Sequence, residues 1–311
     1  MILKNGEGVP GSVRFFWIII SGIEKLCYNR EHMIQYQIQG DTMDYQILVL
    51  DLDGTLTNRD KIITPKTKMA LMELQKQGKK VVLASGRPTY GVLPLAKELE
   101  LEVYGGYILS YNGGVIMDCK TGETVFSRCI PVEYNAAIIR LAVDQGVNIL
   151  TYEGDKIITL DGACPYVAKE SAINKLEVEA RADMESYVTF QVPKFLMLDD
   201  GDYLALVEAQ VKAKLGKPFS IYRSEPYFLE IMPRGIDKAQ SLGRLLESIG
   251  LSREQMIACG DGYNDLTMIQ YAGLGVAMEN AILPLKQAAG YVTLSNNDDG
   301  IAHVVEKFML S

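Results

Sequence analysis

Short, mostly apolar runs that end in polar residues constrain the fold of this chain more than any other feature. Three such runs lie at 46–50, 80–84 and 255–259. A strand that is buried on both faces of a parallel sheet gives this pattern, because helices cover the sheet on each side. The sequence therefore predicts an α/β protein with a doubly wound, mostly parallel sheet.

The connection between the first two runs indicates where their ends lie. A helix is predicted at 65–77, because Thr64 suits its N-cap and Gly78 suits its end. Two parallel strands joined by a helix form a right-handed unit, and ligands bind beyond the carboxyl ends of such strands. The polar residues at the ends of the three runs are therefore expected to share one rim. These residues are Asp51, Ser85 and Asp261.

The periodicity of the remaining chain predicts an insertion within this α/β core. Residues 43–125 and 230–311 are expected to form the core, and 126–229 are expected to form an inserted α+β domain. Helices and strands alternate in the insertion, which favours a separate layer over a long loop. The helices are predicted at 131–145, 165–176 and 202–214, and the strands at 147–152, 156–160, 195–198, 219–223 and 227–231.

The first 42 residues differ from the rest of the chain. Their longest apolar run, Phe15 to Ile20, is too short to cross a bilayer. The segment also lacks the longer apolar stretch and the small-residue cleavage site of a secretory signal. We expect residues 1–42 to be a poorly ordered extension, or the result of a start codon assigned upstream of Met43.

Composition narrows the classes of partner and of chemistry. Lys and Arg number 31 against 39 Asp and Glu, and the net charge of −8 argues against a nucleic acid as the main partner. The five cysteines show no C-x-x-C spacing, so reduced thiols in a cytoplasmic protein are the simplest interpretation. With two histidines, at positions 32 and 303, catalysis is expected to depend on carboxylates. No membrane partner is expected.

Carboxylates are concentrated at the predicted rim. Asp51 and Asp53 are one residue apart at a strand end, and Asp261 and Asp265 are expected to converge on them. Such a cluster is costly unless a cation neutralises it, and a set of oxygen ligands without His or Cys suits Mg²⁺. One carboxylate could attack phosphorus while another exchanges protons with the leaving group and then with water. The sequence therefore predicts a Mg²⁺ site whose carboxylates could transfer a phosphoryl group.

Four motifs in this order resemble those of the haloacid dehalogenase-like (HAD-like) phosphatases. They are Asp51-x-Asp53-Gly-Thr, Ser85 after a buried strand, Lys238 in Arg-Gly-Ile-Asp-Lys-Ala, and Gly260-Asp-Gly-Tyr-Asn-Asp265. The insertion before the Lys motif resembles the larger α/β cap, of the C2 type, found in the Cof-type branch. Members of that branch mostly dephosphorylate sugar phosphates. The resemblance covers about residues 44–308 and implies a HAD-like core with an inserted cap.

The resemblance also implies a role for each motif residue. Asp51 would be the nucleophile and a Mg²⁺ ligand, and Asp53 would be the general acid and base and bind the metal through its main-chain carbonyl. Asp261 would complete the protein ligands, and Asp265 would hold a metal-bound water or a neighbouring group. The phosphoryl oxygens would be bound by the following residues, two of them through main-chain amides: Ser85, Lys238, Asn264, Leu52 and Gly86.

Several of these residues also have simpler interpretations. Ser85 could cap the next helix, and a helix N-terminus is also a place where phosphate binds. Lys238 taken alone suits a solvated position at a helix start. Arg87 could either reach the site or only pair with a nearby carboxylate. Asn112, followed by two glycines, is most simply part of a turn that leads towards the insertion.

Two other functions remain open beside a phosphatase of hexose phosphates. A phosphomutase would use the same two aspartates but would need cationic groups on the cap to hold a second phosphate. The insertion offers Arg128, Arg140 and Arg181, which are far apart in the sequence. A sensor of phosphorylated ligands would need no nucleophile, so intact acidic motifs argue against it. Hydrolysis of a small phosphorylated metabolite is the leading hypothesis.

Overall fold

A computed structural model describes residues 44–310, so the expectations for residues 1–42 lie outside the described residues. The strands are β1 (Ile47–Leu50), β2 (Lys80–Ala84), β3 (Tyr107–Ser110), β4 (Val115–Asp118), β5 (Thr124–Ser127), β6 (Asn148–Glu153), β7 (Lys156–Thr159), β8 (Glu177–Ala180), β9 (Phe195–Leu198), β10 (Phe219–Glu225), β11 (Phe228–Pro233), β12 (Met256–Gly260), β13 (Leu274–Ala277) and β14 (Tyr291–Val292). The helices are α1 (Pro65–Lys76), α2 (Thr89–Glu98), α3 (Leu101–Tyr104), α4 (Asn135–Asp144), α5 (Pro165–Asn174), α6 (Met184–Tyr187), α7 (Gly201–Leu215), α8 (Lys238–Ile249), α9 (Leu266–Tyr271), α10 (Leu283–Ala288) and α11 (Gly300–Phe308).

The first sheet has the strand order β14-β13-β12-β1-β2-β3-β4-β5. Neighbours from β14 to β3 run parallel, and β4 and β5 add an antiparallel edge. Leu50 pairs with both Cys259 and Leu83, so the central strands end at one level. The predicted α/β class with a mostly parallel sheet is confirmed, and the strand ends form a common rim.

Local sequence explains why the central unit forms. All four residues of β1 are fully buried, as expected for a strand covered on both faces. Thr64 caps α1 as predicted, because its hydroxyl accepts a hydrogen bond from the main-chain N–H of Thr67 at 3.3 Å. The helix ends one residue before its predicted end, and Gly78 follows with a positive φ of 84°. Leu71 and Leu74 are fully buried on its inner face, which stabilises the unit by about 1.5–3 kcal/mol for each side chain.

The second sheet has the order β10-β11-β9-β6-β7-β8 and is antiparallel except for the pair β7 and β8. It has a hydrophobic core of its own, in which Phe195, Met197 and Ile231 are fully buried. The predicted boundaries at 126 and 230 fall inside β5 and β11. The chain therefore leaves the first sheet, and later leaves the second, a few residues after each predicted boundary. An apolar strand looks alike in either sheet, so periodicity alone could not place these points.

Some local features differ from expectation. The helix predicted at 131–145 begins as a 3-10 turn at Val132–Tyr134 before α4. The turn that contains Asn112 leads from β3 to β4 of the same sheet rather than towards the insertion. Strands β3, β4, β5, β8 and β14 were not predicted, because none contains a long apolar run. Strands β5 and β8 expose most of their side chains, the apolar part of β3 and of β4 is short, and β14 has two residues. Among the described residues, no helix combines the length and apolar character needed to cross a membrane.

Candidate active site

Lys238 is fully buried at the first position of α8, beneath the rim. Its ammonium donates hydrogen bonds to Asp51 Oδ1 at 2.7 Å, to Asp265 Oδ1 at 2.7 Å and to the carbonyl oxygen of Ala84 at 2.8 Å. These three acceptors satisfy its three donors. Burial alone would lower the pKa of Lys238, but Asp265 and Asp51 outweigh this effect and raise the pKa above its usual range. Lys238 is therefore a fixed positive charge within the site and not a solvated lysine.

Asp265 fixes the loop that follows β12. While its Oδ1 binds Lys238, its Oδ2 accepts hydrogen bonds from the main-chain N–H groups of Asp261 and Gly262, both at 2.9 Å. Gly260 allows this approach, because a Cβ at that position would lie 2.5 Å from the Asp265 Cβ. The main chain around Asp261 is thereby held in place by a fully buried carboxylate.

Three of the four carboxylates that the sequence places at the rim, Asp51, Asp261 and Asp265, form an acidic cluster. One carboxylate oxygen from each lies within 4.8 Å of the other two. Asp261 Oδ1 also accepts a hydrogen bond from the Thr55 hydroxyl at 3.0 Å. Gly54 has a positive φ of 86°, and a Cβ there would lie 2.3 Å from Asp261 Oδ2. Glycine is therefore required in this turn both for its backbone conformation and for the position of Asp261.

The cluster carries more negative charge than Lys238 balances. Burial and the nearby Asp265 raise the pKa of Asp51 to about 8, and Lys238 only partly opposes them. Burial and Asp265 also raise the pKa of Asp261 to about 6. A divalent cation would relieve this excess, and the oxygen-only ligand set fits Mg²⁺. The residues present therefore fit the predicted metal.

The Asp53 side chain lies apart from this cluster and is more exposed. Arg87 binds it with two hydrogen bonds, from Nη2 at 2.6 Å and from Nε at 2.8 Å, and Lys61 binds it at 2.7 Å. Burial alone would raise the pKa of Asp53, but the hydrogen bonds and charge of Arg87, followed by those of Lys61, bring the pKa below its usual value. Arg87 therefore both reaches the site and pairs with a carboxylate, because that carboxylate, Asp53, is itself a predicted site residue.

The predicted phosphate-binding residues lie around the same rim. Ser85 does not cap α2, whose N-cap is Pro88. The Ser85 hydroxyl instead accepts a hydrogen bond from the main-chain N–H of Arg87 at 3.1 Å. Asn264 donates to the side-chain oxygen of Asn112 at 3.2 Å. Leu52 is fully buried behind Asp51.

The part of the chain at 48–305 matches the family model of the haloacid dehalogenase-like hydrolases. This chain belongs to that family. A candidate phosphatase of Streptococcus pyogenes serotype M6 is 32% identical over 270 residues, which cover 86% of this chain and 100% of the relative. The Bacillus subtilis 5-amino-6-(5-phospho-D-ribitylamino)uracil phosphatase YcsE is 28% identical over 88% of this chain and 99% of its own. The crystal structure of a haloacid dehalogenase-like hydrolase from Bacteroides thetaiotaomicron has a TM-score of 0.83 and 47% identity, and the match covers 85% of this chain and 99% of that one.

These comparisons confirm the predicted enzyme class, a HAD-like phosphatase of the Cof type. The site of this HAD-like chain opens into a cavity of about 700 Å³ between the two sheets. All of the predicted site residues line it except Leu52 and Asp265, which are buried behind its wall. The predicted residues on the wall are Asp51, Asp53, Ser85, Gly86, Lys238, Asp261 and Asn264.

The HAD-like motifs gave no indication of the other side of the cavity. Lys194, Tyr222 and Glu230 line it from the second sheet, and Asn112 lines it from the rim. The insertion also contains a fourth arginine that the sequence analysis did not consider, Arg223 in β10, and this residue lines the cavity. The alternation of side chains along β10 and β11 was the one sequence signal for which residues of the second sheet line the cavity. It does not show which face of a strand meets a cavity until the sheet is assembled.

Proposed function

We propose that this HAD-like phosphatase hydrolyses phosphate monoesters of small polyhydroxylated metabolites, hexose phosphates above all, with Mg²⁺ and through an aspartyl phosphate on Asp51. The observation that carries this proposal is the way Lys238 holds Asp51. One carboxylate oxygen binds the buried ammonium, while Oδ2 has no hydrogen-bond donor among the described residues and the side chain faces the cavity. Asp51 is therefore oriented with one oxygen available for attack.

In the proposed reaction, an Asp51 oxygen forms a bond to phosphorus as the ester P–O bond breaks. The leaving oxygen takes a proton from Asp53. Water then attacks the aspartyl phosphate and gives its proton to Asp53, which releases inorganic phosphate and restores Asp51. Bound Mg²⁺, held by Asp51, Asp261 and the Asp53 carbonyl, would neutralise charge on the transferring group.

Asp53 can carry a proton only if its present pairing weakens. Arg87 and Lys61 stabilise the ionised carboxylate, which makes it a poor acid. A dianionic phosphoryl group entering beside Gly86 competes with Asp53 for Arg87. When Arg87 shifts to the phosphoryl group, Asp53 loses a stabilising cation and gains an anionic neighbour. Both changes raise the pKa of Asp53, so substrate binding favours its protonated form.

The substrate class is supported by a relative and by the cavity. The Bacillus subtilis relative named above acts, by its name, on a phosphate ester of a ribityl chain, which is a polyol. A cavity of about 700 Å³ accommodates a molecule of that size or a hexose phosphate. We also propose that the second sheet with its helices is a cap over the core, that Ser85, Lys238, Asn264 and the amides of Leu52 and Gly86 bind the phosphoryl group, and that the enzyme acts in the cytoplasm.

A phosphomutase remains the alternative, and the arginines of the insertion argue against it. Arg223 lines the cavity, but it binds Glu208 at 3.0 Å and the carbonyl oxygens of Gly201 and Pro226. The other three, Arg128, Arg140 and Arg181, do not line the cavity. Among the described arginines of the insertion, Arg223 alone lies where a second phosphate could meet it, and its Nε is already bound to Glu208.

The test measures the products from a hexose 6-phosphate, with excess Mg²⁺ or with a chelator. We expect one inorganic phosphate for each hexose phosphate consumed, no activation by a hexose bisphosphate, and no turnover in chelator. Isomeric hexose 1-phosphate with little free phosphate, formed only after addition of the bisphosphate, would establish the mutase instead. Full activity in excess chelator would contradict the role of the metal.

A further inference from the structure

The cavity wall formed by the second sheet has a buried ion pair that the proposed chemistry does not use. Lys194 lies directly before β9 and Glu230 lies in β11, and both are at least 95% buried while lining the cavity. The Lys194 ammonium lies 3.5 Å from Glu230 Oε1. It also donates to the carbonyl oxygen of Gly86 at 3.2 Å, which places it against the predicted phosphate-binding loop.

This lysine is held much less tightly than Lys238. Lys238 has three oxygen partners at 2.7 to 2.8 Å. Among residues 44–310, Lys194 has two oxygen neighbours, at 3.2 and 3.5 Å, and its third donor has none. A buried ammonium is expensive unless all its protons find acceptors. The ammonium also lies 5.8 Å from the centre of the Tyr152 ring, and Lys194 lines the cavity, so a ligand oxygen there can supply the missing acceptor.

The charges on this wall indicate the kind of ligand. Besides Glu230, the buried Glu170 lines the cavity and accepts hydrogen bonds from the Tyr152 hydroxyl at 2.5 Å and from Asn174 at 2.8 Å. Two carboxylates thus accompany the one ammonium of Lys194, and Arg223 and Glu225 add one charge of each sign further along the wall. A second anionic group on the substrate would meet net negative charge at this wall. Hydroxyl groups fit, because each can accept from an ammonium and donate to a carboxylate.

We propose that Lys194 and Glu230 form a subsite for the hydroxyl groups of an uncharged polyol, and that this pair selects the leaving group. Lys194 donates to one substrate oxygen, and Glu230 accepts from a hydroxyl beside it. The Tyr222 hydroxyl donates to Glu230 Oε2 at 3.3 Å and orients this carboxylate. Because Lys194 touches Gly86, the hydroxyls concerned are those near the phosphoester. The proposal rests on the proposed function, in which the phosphoryl group lies at Asp51.

The test compares two substrates on the paired variant Lys194→Met/Glu230→Gln, which removes both charges together. We expect kcat/KM for hexose 6-phosphate to fall by about 10²-fold, since a site built to bind hydroxyls loses those bonds. For p-nitrophenyl phosphate, which has no hydroxyl on its leaving group, kcat/KM should stay within about threefold of wild type. The matched control is Lys156→Met/Glu179→Gln, a more exposed ion pair of the same sheet outside the cavity, which should change neither value.

Equal losses on both substrates would show a structural role and overturn the subsite, as would no loss on either. If wild type does not turn over hexose 6-phosphate, ribitol 5-phosphate replaces it in the same comparison. The proposed function fails separately, when wild type shows no Asp51-dependent hydrolysis of p-nitrophenyl phosphate. Wild type gives a second test that needs no variant. It should prefer hexose 6-phosphate to 6-phosphogluconate, which adds a carboxylate, by about tenfold or more, and an equal preference would contradict the proposal.

Discussion

The cavity has two walls, and each contains a buried lysine. On the core wall, formed by Asp51, Asp53, Lys238 and Asp261, the ammonium of Lys238 has all its donors satisfied at short distances. The cap wall is formed by Glu170, Lys194, Tyr222 and Glu230. Among the described residues, the ammonium of Lys194 has two oxygen partners at longer distances, 3.2 and 3.5 Å, and its third N–H has no acceptor. The difference indicates that the core wall is organised before substrate arrives, whereas the cap wall is completed by the substrate. We therefore propose that the core wall performs the chemistry and that the cap wall selects the substrate.

The largest expected effect comes from Asp51→Asn on the core wall. Removing the proposed nucleophile should lower kcat by about 10⁴- to 10⁶-fold on every substrate, including p-nitrophenyl phosphate. This uniform loss contrasts with the substrate-dependent loss expected on the cap wall. Asp60→Asn, an exposed neighbour in sequence, serves as the control and should retain activity. A kcat near the wild-type value in Asp51→Asn would exclude the covalent mechanism.

Asp53→Asn should have the next largest effect. The variant keeps its shape but cannot transfer a proton, so kcat should fall by about 10²- to 10⁴-fold while substrate still binds. Steady-state kinetics and binding of a hexose phosphate to the inactive variant measure the two parts. A rise in KM with an unchanged kcat would mean that Asp53 only positions Arg87.

Two alanine variants separate the geometry of the core wall from general backbone strain. Gly54→Ala forces a Cβ against Asp261, whereas Gly78→Ala has a similar positive φ and open space around it. We expect Gly54→Ala to weaken Mg²⁺ activation by about 10- to 100-fold. Gly78→Ala should lose only about 1 kcal/mol of stability and keep its activity. Equal effects on Mg²⁺ activation would show that the contact with Asp261 is unimportant.

The smallest effect concerns stability and pH. The raised pKa values, about 8 for Asp51 and about 6 for Asp261, mean that the metal-free folded protein holds protons that the unfolded chain has released. Its stability should therefore fall as the pH rises from about 4 to about 8. Mg²⁺ binds the ionised carboxylates, so its gain in Tm should be a few degrees larger at pH 8 than at pH 6. Thermal unfolding with excess Mg²⁺ or chelator measures this, and equal gains at both pH values would contradict the assignment.

The sequence predicted the two walls unequally, and the reason is physical. Asp51 and Asp261 each directly follow a buried parallel strand, so the local apolar runs are enough to bring them to one rim. Lys194 and Glu230 meet because β9 pairs with β11, which lies about thirty residues further along the chain. Their orientation depends on that pairing and on the approach of the second sheet to Gly86, neither of which a local pattern contains. The pairing of Arg87 with Asp53 likewise could not be predicted locally, because it depends on how the ends of β1 and β2 meet at the rim.

The most direct test of the central claim is to identify the residue that carries the phosphoryl group. Asp53→Asn should slow the attack of water more than the departure of p-nitrophenolate, which leaves without a proton. This variant is mixed with p-nitrophenyl phosphate and Mg²⁺, quenched in acid and analysed by mass spectrometry of its peptides. The covalent mechanism predicts one phosphoryl group on the peptide that contains Asp51, and none in Asp51→Asn/Asp53→Asn. A phosphoryl group on another residue, or none during measurable turnover, would contradict it.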